Sequence, residues 1–149
     1  MELLMSVGLL LGCLALGALV VPNQGETILL EALVNKTAPQ NLSLHLNSNN
    51  VTPAETDTEA AYTEMSGNGY AAVNPLTPAS WTATPGAPSS IAYPEQTFTF
   101  TGAAGNCYGY YIKQVTSGKL VWSERFSGAP WVINNNGDQI KVPPTITAE

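Results

Sequence analysis

With one histidine and two cysteines, the chain has few residues able to do chemistry. His45 stands in Leu42-Ser43-Leu44-His45-Leu46-Asn47, where strict alternation places it on the polar face of a strand. No Cys, His or paired carboxylate lies at ligand spacing from it, so it reads as a solvated strand residue and not as a metal ligand or general base. A hydrolytic triad built on His45 would also need a nucleophile in a G-x-S-x-G or comparable context, and the sequence has none. Cys107 falls in an aromatic strand without a nearby base, and Cys13 in an apolar run. Nothing in their spacing supports a disulfide, and both read as small apolar side chains.

The carboxylates are more numerous but no better placed. Glu64, Glu95, Glu124 and Asp138 could supply the acid and base of a glycosidase, a reaction set by the distance between two carboxyl groups. Sequence carries no such distance, and four scattered acids read as surface. Glu55, Asp57 and Glu59 suggest a calcium loop but lack the Asx spacing and the distal bidentate Glu, so they read as a solvated acidic turn. Gly67-Asn68-Gly69 lacks the third glycine and the following helix of a dinucleotide fingerprint, and there is no Walker A run. Tyr62, Tyr70, Trp81, Tyr93, Trp122 and Trp131 are the residue types of a sugar-stacking platform, although a β-rich core uses the same ones. No catalytic, cofactor-binding or metal-ligating residue is therefore assigned, and no cofactor is expected. The candidate interface residues are Trp81, Trp131 and Tyr70.

The elements that must carry these residues are mostly strands. A run from 107 to 115 is dense in aromatic and β-branched residues, which fit a pleated, half-buried surface. Thr116-Ser117-Gly118-Lys119 breaks it as a hairpin turn. In the next strand Leu120, Trp122, Glu124 and Phe126 should share one face. Asn136-Gly137-Asp138 signals another turn, after which Gln139 to Val142 resumes the alternation and completes a three-stranded meander. Thr97-Phe98-Thr99-Phe100-Thr101 alternates as cleanly. Pro143-Pro144 confines the last strand to a sheet edge. Asn23 to Lys36 reads as the one real helix, with Glu26 in its first turn, Lys36 at its end and Pro39 closing it. Its broad apolar face, Ile28 to Val34, should pack on the sheet.

Composition agrees with this plan. At 149 residues the chain suits one domain with one core. Only 11% of residues are charged, so the polar surface must come from Thr, Ser, Asn and Gln, a composition common in extracellular and virion proteins. A net charge of −6 and five scattered basic residues offer no stripe to track phosphates, which argues against nucleic acid as a partner. Asn35, Asn41 and Asn50 stand in glycosylation sequons, which arise by chance in a chain this rich in Asn and Thr.

Residues 1–18 form an apolar extension ahead of a single β-rich domain at 19–149. From Leu3 to Val21 there is no charge, long enough for a membrane-span candidate, yet Glu2 replaces the positive start of a secretory signal. Leu10-Leu11-Gly12-Cys13 resembles a lipobox with Cys13 as the lipidated residue. A leader, an anchor and an extension upstream of the true start all remain open, and a membrane is a partner only under the first two.

Five to eight short strands plus one helix predict a mainly β fold, an antiparallel β-sandwich or jelly-roll-like barrel with one short N-terminal helix. From Leu19 onward the order of landmarks resembles small β-rich structural proteins of tailed bacteriophages. The resembling residues include Leu42-Ser43-Leu44-His45-Leu46, Asn49-Asn50-Val51-Thr52-Pro53, Gly69-Tyr70-Ala71-Ala72, Tyr108-Gly109-Tyr110-Tyr111, Trp122-Ser123-Glu124-Arg125-Phe126 and Asn135-Asn136-Gly137-Asp138. Residues 1–15 depart from that pattern. The resemblance implies a non-enzymatic virion component, a head decoration or tail-associated protein, whose partners are further copies of itself and other virion proteins. The alternative is an exported or lipid-anchored bacterial surface domain, with glycan as its ligand.

Overall fold

β-branched and aromatic stretches settle into short antiparallel strands, and the one run of good helix formers into a helix. The computed structural model describes residues 19–148. Expectations placed on residues 1–18, lipidation of Cys13 among them, lie outside the described residues. In chain order the elements are β1 (Leu19–Val20), α1 (Asn23–Leu33), β2 (Leu42–Asn47), β3 (Val73–Leu76), β4 (Thr82–Thr84), β5 (Ser89–Ala92) and β6 (Gln96–Thr99). They continue with β7 (Gly105–Cys107), β8 (Gly109–Gln114), β9 (Leu120–Arg125), β10 (Trp131–Ile133), β11 (Gln139–Val142) and β12 (Thr145–Ala148).

The central sheet has the order β1-β9-β8-β2-β3, and three smaller sheets pair β10 with β7, β11 with β6, and β12-β5-β4. Every pairing is antiparallel and none of these sheets closes into a barrel. Leu44 faces Ile112 across β2 and β8, and Ile112 faces Trp122 across β8 and β9, so one row of large side chains crosses the sheet. That row shares a core with Phe98, Ile133, Ile140 and Val142 of the smaller sheets. The third small sheet adds the partly buried Ile146 to the same core. Among the described residues no helix is long and apolar enough to cross a membrane.

The hairpin between β8 and β9 forms as its sequence predicts, with Gly118 at φ 70°, where a β-carbon would be strained. The final strand expected over Ile140 to Thr147 does lie at sheet edges, but Pro143-Pro144 divides it into β11 and β12, which pair in different sheets. Three other expectations are corrected. The third strand of the proposed meander, β11, pairs with β6; the free edge of β9 is taken by β1 instead. Long-range pairing decided this, and local alternation does not encode it. Leu120 does not share a face with Trp122. A bulge at Val121 shifts the register between Ile112 and Lys113, sending Leu120 to a cluster with Tyr62 and Tyr111. The apolar face of α1 is only half used. Gly25, Ile28 and Ala32 point to the sheet, while Leu29, Leu30, Leu33 and Val34 lie exposed.

Candidate functional site: an uncovered helix face and the cleft beside it

α1 is seated by its glycine. A β-carbon on Gly25 would stand 2.0 Å from the carbonyl oxygen of Val121, so only glycine lets the helix backbone lie directly on β9. Glu26 occupies the first turn, where it complements the helix dipole, and the Gln24 side-chain oxygen accepts from the Leu120 N–H. The helix stops at Leu33, with Asn35 in the left-handed region at φ 55°, before Pro39 is reached. Lys36 then turns back 2.6 Å onto Glu31, and this contact holds the Glu31 carboxyl below the usual carboxylate range.

Seated this way, the helix has a far side that nothing covers among the described residues. Leu29, Leu30, Leu33 and Val34 are 44, 63, 81 and 69% exposed; Leu29 stands at the rim of the packed side, one turn beyond Gly25, and Leu30, Leu33 and Val34 turn away from it. A helix apolar on both sides is normally covered on both. Beside it runs an apolar cleft of about 410 Å³, floored by Val121 and Trp122 and walled by Ile28, Leu29, Trp81 and Ile146. Glu31, Thr37, Gln40, Gln114, Ser117 and Lys119 are its polar lining residues. Fully burying one leucine is worth roughly 1.5–3 kcal/mol, so a partner covering this side gains several kcal/mol. The arrangement is suited to docking an apolar surface.

The predicted interface residues fall in three separate places. Trp81 lies in the cleft wall, half-buried, with its ring 5.0 Å from that of Tyr93 and 6.0 Å from that of Trp122. Trp131 stacks on Phe126 at 4.2 Å and donates its indole N–H to the Ser127 carbonyl. Tyr70 stacks on Phe98 and accepts the Leu46 N–H through its hydroxyl at 3.0 Å, standing in for a strand partner beyond the end of β3. Of the three, only Trp81 belongs to the cleft.

His45 is not solvated, contrary to its place on the polar side of the alternation. It is 6% exposed because residues 48–65 fold over that side of the sheet, tied down by an Asn47–Glu64 bridge. Its Nε2 lies 2.8 Å from Ser43 Oγ, its ring stacks on Tyr111, and its Nδ1 stands 2.9 Å from Glu64 Oε1. These are the members of a Ser-His-Glu triad in order, but they do not form one that can act. Ser43 is 1% exposed in a strand flanked on both sides by others, and the Nδ1–Glu64 approach lacks hydrogen-bond alignment. The neighbouring Tyr62 hydroxyl joins Ser123 at 2.7 Å and donates to Asp57 at 2.8 Å, and burial pushes it up from its ordinary value. This cluster fastens the covering segment to the sheet.

The remaining acids are each engaged separately. Glu64 also accepts from the Tyr70 hydroxyl, Glu95 pairs with Lys141 at 3.6 Å, and the buried Glu124 accepts from the Tyr110 hydroxyl at 2.7 Å. Asp138 accepts the N–H groups of Asn134 and Asn135, both at 2.9 Å, which hold its carboxyl below the usual range. Of the acidic turn, Glu59 pairs with Lys113 and Asp57 caps Ala54, and among the described residues no three ligating groups converge on a point where a metal would sit. Cys107 is buried, and desolvation pushes its thiol up to about 12.

Sequence reasoning missed the exposed helix side, although two signals mark it. The helix is apolar around more of its circumference than one contact can cover, and Gly25 shows which side goes inward. Comparison of the chain with protein-family models, with curated proteins and with solved structures returns no match.

Proposed function

We propose that the chain is a non-enzymatic structural protein of a bacteriophage virion, a head decoration or tail-associated component, that works by assembly on neighbouring protein subunits. The observation that carries this reading is the uncovered apolar side of α1, continuous through Leu29 with the cleft beside Trp81. Monomeric domains rarely leave such a helix side bare, and contiguous apolar surface marks sites where proteins meet. The low charge and the Thr- and Asn-rich surface fit a protein whose neighbours are other subunits, and the order of landmarks from Leu19 onward resembles phage structural proteins. In this reading the sheets stack as a β-sandwich, the central sheet forming one layer and the smaller sheets the other. The shared core of Leu44, Ile112 and Trp122 with Phe98, Ile140 and Val142 supports that layering. The test is peptide mass spectrometry of gradient-purified particles. Copies of this chain should co-sediment with particles in stoichiometric amount, and their absence would overturn the reading.

A further inference from the structure

We propose that the cleft beside α1 binds a small amphipathic anion, an apolar chain carrying one carboxylate, with its head among Gln40, Gln114 and Lys119 and its body along Trp81 and Trp122. Alternation sets Tyr110, Ile112 and Gln114 on the inward face of β8, so an amide stands where the pattern calls for an apolar side chain. Gln114 is 4% exposed and lines the cleft. Its Oε1 accepts from Ser117 Oγ at 2.6 Å, but among the described residues its Nε2 has no hydrogen-bond partner. That Nε2 is not sealed from solvent, and the space it reaches is the cleft. A buried amide left unpaired costs free energy, which a ligand oxygen would recover.

The neighbouring groups repeat this one-sided pattern. Gln40 Oε1 accepts the Ser117 N–H at 3.1 Å, and among the described residues the Gln40 Nε2 is unpartnered. The Lys119 ammonium makes no ion pair or hydrogen bond among them, although its charge is felt at Glu31. Glu31, the one acid in the lining, is already engaged by Lys36 at 2.6 Å and Thr37 at 3.0 Å. Acceptors at this end are used and donors are open, which suits a head group that only accepts and carries negative charge. One lysine matches a singly charged carboxylate better than a doubly charged phosphate. The rest of the cleft, from Trp81 and Trp122 to Ile91 and Ile146, is apolar. Its volume of about 410 Å³ falls within the roughly 300–1,000 Å³ of small-ligand sites. Leu30, Leu33 and Val34 do not line it, so a ligand fills the cleft without covering the outward side of α1.

Trp81 and Trp122 let the site report its own occupancy. Titrating the full chain with sodium decanoate, kept below its micelle concentration, should change tryptophan fluorescence saturably with one ligand per chain. Decanoate should bind about tenfold more tightly than 1-decanol, which has the same chain without the charge, and decyltrimethylammonium should bind most weakly. Lys119→Gln, at an exposed position, should lower decanoate affinity about tenfold while leaving decanol affinity and the thermal midpoint unchanged. Ala32→Phe fills the cleft from the helix and should abolish binding of both; should that variant fail to fold, the Lys119→Gln comparison decides alone. A response that does not saturate, or several ligands per chain, overturns the site. So does decanol bound as tightly as decanoate, or Lys119→Gln binding decanoate with wild-type affinity. Failure here would leave the assembly reading standing, because Leu30, Leu33 and Val34 lie outside the cleft.

Discussion

Single residues hold the architecture together at points where the backbone comes unusually close or a polar atom would otherwise be stranded. Gly25 is the tightest such point, and Gly25→Ala should cost about 1–3 kcal/mol or more through overpacking against Val121. Each kcal/mol lowers the thermal midpoint of a domain this size by about 2–4 °C; an unchanged midpoint would refute the close seating of α1. Tyr70 carries a different load. Tyr70→Phe leaves the Leu46 N–H without its hydroxyl partner and should cost about 1–3 kcal/mol, measured by chemical denaturation. Asp138 makes a pH-dependent contribution whose sign is fixed by its lowered folded value. Its stabilising effect is complete above the ordinary carboxylate range and is lost as pH falls through the folded value. Asp138→Asn should therefore flatten the acid limb of the stability curve, and NMR titration should find the Asp138 carboxyl still ionised where an ordinary aspartate has protonated. Cys107, buried with its thiol pushed up to about 12, should resist alkylation in the native protein and react on unfolding, as peptide mapping would reveal.

At the scale of elements, what local pattern encodes was legible and what distant pairing decides was not. The leucine alternation of β2, the Gly118 hairpin and the edge position of β12 all follow from residues within a few positions of each other. The partner of β11 does not, because Gln139 to Val142 would alternate equally well beside β9 or β6. Alternation in β2 names two sides but not which one meets water. Ser43, His45 and Asn47 are buried because residues 48–65 cross over them, a fact carried by contacts such as Tyr62 to Ser123 across 61 positions of sequence. The bulge at Val121 left no local mark either, so Leu120 was assigned to the wrong side. The covering segment makes a prediction of its own. His45→Ala removes the stacking on Tyr111 and the contacts to Ser43 and Glu64, and amide exchange in residues 57–65 should then rise while exchange in β8 and β9 stays slow. Equal acceleration everywhere would mean that His45 holds the sheet itself and not its cover.

For the whole molecule, the tension lies between a well-filled interior and an apolar helix side left in water. Leu44, Leu46, Phe100, Ile112 and Leu120 are fully buried, whereas Leu30 and Leu33 are mostly exposed. The interior accounts for folding, whereas among the described residues nothing covers the outward side of α1, which under the assembly proposal another subunit covers. The residues expected to make contacts, Trp81, Trp131 and Tyr70, were singled out by type, because aromatic residues are enriched at interfaces. Position now separates them, with Trp81 in the cleft wall, Trp131 laid on Phe126 and Tyr70 serving β2. Under the assembly proposal that surface is the working part, while the Ser43–His45–Glu64 contact lies buried beneath residues 48–65. The most direct test compares particles assembled with wild-type protein and with the Leu30→Glu, Leu33→Glu variant, counting copies per particle by quantitative mass spectrometry. The account predicts a variant that folds with an unchanged thermal midpoint yet is depleted from particles at least tenfold; a folded variant retained at wild-type copy number would contradict it.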